Sequence, residues 1–270
     1  MTIPLDQVPL IDLSLPETEA AAAVHKACTE FGFLYLTNHG VPESLIRELF
    51  EMQRKFFALP PEQKETILVD KNNRQAPARL YFGREVPADS EEAKLPLHGP
   101  NQWPSEDLVP GYRAVIERYY EAMGELSRRM LRLLAIGLGM EPDYFAASFD
   151  RPIYTLRPLH YSATKSVPED GAFGIGAHSD YGMLTFLLTD GVPGLQICPD
   201  RQKGEWLGVP PVEGAYICNI GDLLERWTNG CYRSTLHRVV NTTGQERYSI
   251  PFFLEPNFEC VVEPLPQGGA

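Results

Sequence analysis

With 270 residues, of which 43% are hydrophobic and 22% charged, the chain has material for a large packed core, and its composition excludes an intrinsically disordered protein. A formal net charge of −12 excludes a nucleic-acid groove or an anionic membrane surface as the main partner, and means that any anionic ligand needs a local basic anchor. Cys28, Cys198, Cys218, Cys231 and Cys260 are scattered, with no C-x-x-C pair, which reads as reduced thiols rather than a disulfide framework or zinc ribbon. The first residues, Met1-Thr2-Ile3-Pro4-Leu5-Asp6, show neither a basic nor an apolar leader region, and no apolar run is long enough to cross a bilayer. The expectation is a cytoplasmic, monomeric protein.

No internal repeat or low-complexity tract is present. The N-terminal part, residues 1–150, reads as mostly helical. Glu17 to Phe31 is alanine-rich and closed by Gly32, and a strand-like run, Phe33-Leu34-Tyr35-Leu36, follows. Pro42-Glu43-Ser44 opens a second helix with Leu45, Leu49, Met52 and Phe56 at helical spacing, and Pro60-Pro61 should stop it. Residues 70–110, rich in Pro, Asn, Asp and Gly, read as irregular connection. A long helix is expected from Gly111 to about Gly139, with Tyr112, Val115, Tyr119, Met123, Leu126, Met130 and Leu133 on one stripe.

Beyond Pro152 the texture changes to short β-prone runs between turn signals: Ile153–Tyr161, Met183–Thr189, Leu195–Cys198, Ala215–Ile220, Leu236–Val240, Tyr248–Leu254 and Phe258–Val262. Such spacing predicts a sandwich or barrel over 151–265, with helices packed outside it, in one domain spanning 1–270.

Within this half, His178-Ser179-Asp180 follows the turn-rich stretch Gly174-Ile175-Gly176-Ala177 and leads into a strand. In extended backbone, residues i and i+2 share a face, so His178 and Asp180 can reach one ion while Ser179 points away. His237 lies in a later strand that a barrel can bring alongside. Two imidazoles and one carboxylate on one face of an ion leave the other positions open, the arrangement of non-haem iron(II) oxygenases. An H-x-D tripeptide alone arises often by chance, so a second feature matters.

That feature is Arg247-Tyr248-Ser249, ten residues after His237, with the turn-forming Asn241-Thr242-Thr243-Gly244 between. A hairpin that sets His237 opposite Ser249 also sets Val239 opposite Arg247, and all these side chains then face one cavity. Arginine suits a planar two-point grip on a carboxylate, and serine adds a donor. The charges also balance. Iron(II) with Asp180 leaves one positive charge, a dianionic keto acid overcompensates it, and Arg247 restores neutrality.

The remaining histidines have ordinary explanations. His25 in a helix, His39 in an Asn-His-Gly turn and His98 in a Pro-rich loop read as structural, and His160 is turned away from Tyr161 by strand alternation. Asp222 and Asn229 are expected to order the turn around Trp227.

These motifs resemble the iron(II)/2-oxoglutarate-dependent oxygenases, in the branch similar to isopenicillin N synthase. The resemblance rests on Phe31-Gly32-Phe33 leading to Asn38-His39-Gly40-Val41-Pro42, on Ala177-His178-Ser179-Asp180-Tyr181-Gly182, and on Asn219-Ile220-Gly221-Asp222-Leu223-Leu224. It continues through Trp227-Thr228-Asn229-Gly230, Ser234-Thr235-Leu236-His237-Arg238-Val239-Val240 and Arg247-Tyr248-Ser249, in family order along nearly the whole chain. It implies a mainly β fold with flanking helices, built on a double-stranded β-helix (jelly-roll) core. It also implies iron(II) on His178, Asp180 and His237, and the far carboxylate of 2-oxoglutarate on Arg247 and Ser249. Tyr161 matches a tyrosine that contacts this co-substrate, with Leu159 where an asparagine often stands. Tyr81, Phe82, Arg84 and Phe253 are candidate substrate contacts by family position alone. Leu156-Arg157-Pro158-Leu159-His160-Tyr161 looks closest to microbial and fungal members, a group that includes thymine hydroxylases. The family usually has a longer segment where Asn72 to Glu85 stands, and a further helix where this chain ends at Gln267-Gly268-Gly269-Ala270.

The activity so implied is hydroxylation of a small organic substrate by dioxygen, or its desaturation or cyclisation, with 2-oxoglutarate converted to succinate and carbon dioxide. Two alternatives share the fold: an iron oxidase that uses no keto acid, and a non-catalytic binding protein. A zinc hydrolase is disfavoured because no H-E-x-x-H stands near the ligands.

Overall fold

The computed structural model describes residues 8–64, 67, 80–96 and 98–265. After strand β1 (Leu10–Asp12), helix α1 (Glu17–Glu30) buries Ala20, Ala21, Val24, Ala27 and Cys28. The helix ends at Gly32, whose N–H returns to the Ala27 carbonyl at 3.0 Å. Its φ of +67°, and a would-be Cβ only 2.1 Å from the Arg233 carbonyl oxygen, leave room for glycine alone. Strand β2 (Phe33–Thr37) follows at once.

Helix α2 (Glu43–Phe57) buries Leu45, Leu49, Phe50, Gln53 and Phe56, and Met52 is half-buried. It stops before Pro60-Pro61, but helical structure resumes there. Pro61 opens a one-turn helix, α3 (Pro61–Lys64), because a missing N–H costs nothing in a first turn. A two-residue strand, β3 (Phe82–Gly83), lies in the stretch read as irregular. Helix α4 (Tyr112–Gly137) buries all seven residues of its expected stripe, and the Tyr112 hydroxyl donates to Gln53 on α2 at 2.9 Å.

The later strands are β4 (Ile153–Leu156), β5 (Leu159–Tyr161), β6 (Ile175–His178), β7 (Leu184–Thr189), β8 (Leu195–Cys198), β9 (Leu207–Gly208), β10 (Tyr216–Ile220), β11 (Leu236–Val239) and β12 (Arg247–Glu255). A short helix, α5 (Asp222–Trp227), stands between β10 and β11. One sheet runs β1-β2-β10-β7-β12-β4-β3, with β5 also paired to β12; the other runs β6-β11-β8-β9. All pairings are antiparallel except β1 with β2. The two sheets enclose Phe33, Tyr35 and Ile217 from the larger and Leu195 and Ile197 from the smaller. The fold is the double-stranded β-helix. On its other face the larger sheet shares a core with α1, α2 and α4.

Three expectations need correction. Phe258–Val262 forms no strand: Cys260 closes a turn onto Asn257, and Val261 is 81% exposed. Gly174–Ala177 is not a turn-rich lead-in, because Ile175–His178 is strand β6. Pairing with β11 overrides the weak strand propensity of Gly176. Third, β11 and β12 are not hairpin partners. β11 pairs with β6 and β8, while β12 pairs with β4, β5 and β7, so the connecting segment crosses from one sheet to the other. Asn241 shapes that crossing. Its Nδ2 donates to the Ser162 and Gln245 carbonyls, and its Oδ1 accepts the Gly244 N–H. Among the described residues no helix is long and apolar enough to cross a membrane. Residues 72–79 of the segment compared with the family's longer one, and the end at 267–270, lie outside the described residues.

Candidate metal and co-substrate site

His178 and His237 are register partners across β6 and β11, which sets their ring centroids 4.3 Å apart. Each ring is oriented in the same way. His178 Nδ1 lies 2.8 Å from the Gly176 carbonyl, and His237 Nδ1 lies 3.1 Å from the Thr235 carbonyl, both two residues upstream. A carbonyl only accepts, so Nδ1 of each ring carries a proton, and Nε2 is the atom turned into the site.

Asp180 follows β6 in the connection to β7, not in a strand. Its carbonyl accepts the Asp222 N–H at 2.7 Å, and the Tyr181 carbonyl accepts the Leu223 N–H at 3.1 Å, so the first N–H groups of α5 hold the loop. Ser179 points away from the ligands and donates to Asp222 Oδ2 at 3.1 Å. Ser234 donates to Asp222 Oδ1 at 2.5 Å, so Asp222 ties the Asp180 loop to the approach to β11.

The carboxylate of Asp180 is divided between two duties. Oδ2 accepts Thr185 Oγ1 at 2.5 Å and Asn219 Nδ2 at 2.8 Å. Oδ1 stands 3.7 Å from His178 Nε2 and 3.6 Å from His237 Nε2. The three donor atoms lie within 4.8 Å of one another. Burial pushes the Asp180 carboxyl up, but the His237 ring and the Asn219 and Thr185 hydrogen bonds outweigh it and hold the group well below the usual carboxylate range. Burial, reinforced by the neighbouring His237, lowers His178. In His237 the lowering effect of burial is overcome by Asp180, which raises it. Two imidazole nitrogens and a carboxylate oxygen converging on one point are a donor set that, with the rings deprotonated at Nε2, fits a divalent first-row metal. The His178 side chain is 39% exposed and that of Asp180 8%, so the site opens on the His178 side.

Across the cleft, Arg247 and Ser249 reach the same space from the larger sheet. Both line it together with the triad, Tyr161, Leu159, Pro251 and Phe253. Arg247 is 1% exposed. Its Nε donates to the Val192 carbonyl at 3.1 Å, its guanidinium carbon lies 5.0 Å from the centre of the Tyr161 ring, and its buried Nη1 has no hydrogen-bond partner among the described residues. Ser249 donates to the Tyr161 hydroxyl at 3.4 Å. A buried guanidinium with an unused N–H fits a carboxylate ligand.

Of the other candidates, Phe253 lines the cleft, whereas Tyr81, Phe82 and Arg84 are not among the lining residues. Phe82 is fully buried and stacks on Trp103, and Arg84 pairs with Glu92. Tyr81 packs beneath Arg157, which does line the cleft. Sequence reasoning gives Thr185 and Asn219 no role. They are register partners on β7 and β10, a pairing that no local motif reveals. His25, His39, His98 and His160 all lie outside the cleft lining, and His160 stacks on Tyr248 at 4.5 Å on the opposite face of its strand.

Residues 154–256 match the model of the 2OG-Fe(II) oxygenase superfamily, and residues 8–78 match that of the non-haem dioxygenase in morphine synthesis N-terminal domain. A 2-oxoglutarate-Fe(II) type oxidoreductase of Emericella nidulans is 39% identical over 270 aligned residues, covering 90% of this chain and 76% of the relative. The chain belongs to the 2OG-Fe(II) oxygenase superfamily. Azadirone synthase of Melia azedarach is a further relative of this oxygenase, 36% identical over 280 residues, covering 95% of this chain and 83% of that one. Among solved structures, a full-length Neurospora crassa protein crystallised with α-KG and 5-formyluracil superposes with a TM-score of 0.85. The two are 31% identical, and the match covers 96% of this chain and 87% of that one. The protein is thus a 2-oxoglutarate- and iron(II)-dependent oxygenase, an oxidoreductase with iron(II) as its metal and 2-oxoglutarate as its co-substrate.

Proposed function

We propose that His178, Asp180 and His237 hold iron(II), that Arg247, Ser249 and Tyr161 take the far carboxylate of 2-oxoglutarate, and that the oxygenase hydroxylates a small organic substrate in the cleft between the two sheets. The observation that carries this reading is Arg247: a fully buried guanidinium with an unpartnered Nη1, lining the same cleft as a convergent His-Asp-His set. Iron(II), when bound there with dioxygen and 2-oxoglutarate, supplies the oxidising chemistry that releases succinate and carbon dioxide.

The chain's own residues prepare that chemistry. The Gly176 and Thr235 carbonyls fix both imidazoles in the ligating tautomer, and Thr185 and Asn219 occupy one carboxylate oxygen of Asp180 so that the other faces the metal. Arg247 neutralises one charge of the keto acid in a wall where water is scarce, and Ser249 orients the Tyr161 hydroxyl beside it. Leu159, Pro251 and Phe253 add apolar surface to the same cleft, which favours a substrate with an apolar body.

We further read residues 1–270 as one oxygenase domain, since a single apolar cluster joins Ile11, the N-terminal helices and Leu254. A monomeric, cytoplasmic enzyme of the isopenicillin N synthase-like branch, with no nucleic-acid or membrane partner, fits the unpaired cysteines and the acidic charge. Substrate-stimulated succinate release from 2-oxoglutarate tests the assignment. His178→Ala or Asp180→Ala abolishes it, and full turnover in either variant rules the metal assignment out.

A further inference from the structure

Gly174 stands one residue before β6, and its φ lies outside the left-handed region, so the backbone there makes no demand for glycine. Space makes the demand instead. A Cβ at this position would lie 3.1 Å from Tyr161 Cδ1, 3.1 Å from Val239 Cγ1 and 3.2 Å from the Val239 carbonyl oxygen. The Gly174 N–H donates to that same carbonyl at 2.9 Å, which holds the Val239 backbone in place. Val239 is buried, and a β-branched side chain turns only between widely separated rotamers. The neighbour left to yield is the Tyr161 ring. The crowding is local, since a Cβ at Gly176, two residues on, would meet nothing within 4 Å among the described residues.

Tyr161 belongs to the other sheet. It is the register partner of Arg247 across β5 and β12, so the two side chains share a face. Its ring lies 5.0 Å from the Arg247 guanidinium carbon, and its hydroxyl accepts from Ser249 Oγ at 3.4 Å. The edge of that ring occupies the space where Gly174 lacks a side chain. A binding group is held in its productive geometry by whatever packs behind it, and here the smaller sheet supplies the backing.

We propose that Gly174 is a positioning residue for the co-substrate: the space left by its missing side chain seats the Tyr161 ring, and that seat sets the ring against Arg247 and Ser249 in the geometry that grips a carboxylate of 2-oxoglutarate. The inference rests on the co-substrate assignment above, which Arg247→Ala tests separately. 2-Oxoglutarate is titrated calorimetrically, under nitrogen, into the full chain loaded with iron(II). Iron(II) alone is titrated into the metal-free chain. Wild type, Gly174→Ala, Tyr161→Ala, their double variant and Arg247→Ala are compared, each with its melting temperature.

Gly174→Ala weakens 2-oxoglutarate binding by about three- to thirtyfold, the range for a displaced contact group, while iron(II) binds as in the wild type. In the Tyr161→Ala background the ring is gone, and the same substitution changes 2-oxoglutarate affinity by less than about twofold. Melting gives a second reading should Gly174→Ala fold poorly: the double variant melts no lower than Tyr161→Ala alone. Wild-type affinity for 2-oxoglutarate in Gly174→Ala overturns the proposal, as does an equal loss in both backgrounds. A double variant that melts below Tyr161→Ala overturns it too, because Val239 would then be the obstacle. So does a matching loss of iron(II) affinity, which would mean that strain runs along β6 to His178. Arg247→Ala that binds 2-oxoglutarate at wild-type strength sinks the co-substrate assignment, and the proposal with it. Loss of binding in Arg247→Ala beside wild-type affinity in Gly174→Ala overturns the proposal alone.

Discussion

Asn219 donates its side-chain N–H to Asp180 Oδ2 at 2.8 Å, on the oxygen that faces away from the two histidines. Thr185, its register partner, donates to the same atom at 2.5 Å. Removing one donor frees the carboxylate to rotate and leaves a buried lone pair unsatisfied. Asn219→Ala is expected to weaken iron(II) binding by about ten- to a hundredfold. A metal titration followed by calorimetry checks this, and unchanged affinity would mean that the hydrogen bond is only structural.

Arg247 leads to a different kinetic outcome. Among the described residues it bonds to neither the triad nor its supporting donors, and under the proposed assignment its unpartnered Nη1 serves the co-substrate. Arg247→Ala is expected to raise the half-saturating concentration of 2-oxoglutarate by about tenfold to a hundredfold, the loss of a charge-assisted bond, with iron(II) affinity changed less. Arg247→Lys recovers part of this, because a point charge replaces a fork. Succinate formation against 2-oxoglutarate concentration gives the comparison, and an equal loss of metal affinity in both variants would count against the assignment.

The part of this site that can be read from sequence is the part carried by neighbours along the chain. His178 with Asp180 is one such pair, Arg247 with Ser249 another, and the α4 stripe declares itself by period. What sequence misjudges depends on which strands pair. The expected hairpin places His237 beside Ser249, whereas the two lie on opposite sheets and meet only across the cleft. Both arrangements turn the side chains inward, so alternation alone does not distinguish them. Thr185 and Asn219 escape sequence reading for the same reason: their partnership exists only in the β7–β10 register. Phe82, a candidate for the cleft by family position, is instead stacked on Trp103 in the core.

His39 makes stability depend on pH. Its Nδ1 accepts the Val41 N–H at 3.1 Å, and its ring packs edge-on against Tyr216 at 4.7 Å. Burial lowers its pKa from the ordinary 6.5, a shift that a backbone bond to Gly214 and the nearby Glu43 only partly oppose. Below about pH 6.5 the unfolded chain therefore binds a proton that the folded one resists, so this contribution is complete at neutral pH and is lost as pH falls. The melting temperature of the wild type is expected to drop more between pH 7.5 and 5.5 than that of His39→Gln, which keeps an acceptor but does not titrate. Parallel curves for the two proteins would count against a neutral His39.

Gly221 tests whether the loop bearing Asp180 is held by fit or merely by proximity. Its φ is −97°, which any residue adopts, so the demand is steric rather than conformational. A Cβ at this position would lie 2.2 Å from the Gly182 carbonyl oxygen and 3.1 Å from that of Asp180, and backbone cannot swing aside as a flexible side chain can. The same carbonyl of Asp180 accepts the Asp222 N–H, so a shift there transmits directly to the carboxylate. Gly221→Ala is expected to cost about 1–3 kcal/mol of stability by overpacking, and to weaken iron(II) binding by about tenfold or more through the displaced ligand. Gly83→Ala is the comparison, because a Cβ there would sit 3.8 Å from the Tyr154 carbonyl oxygen, an ordinary contact. Urea unfolding and metal titration of both variants separate the outcomes. A Gly221→Ala chain that loses stability yet binds iron(II) at wild-type strength would show that α5 and the Asp180 loop are not mechanically coupled.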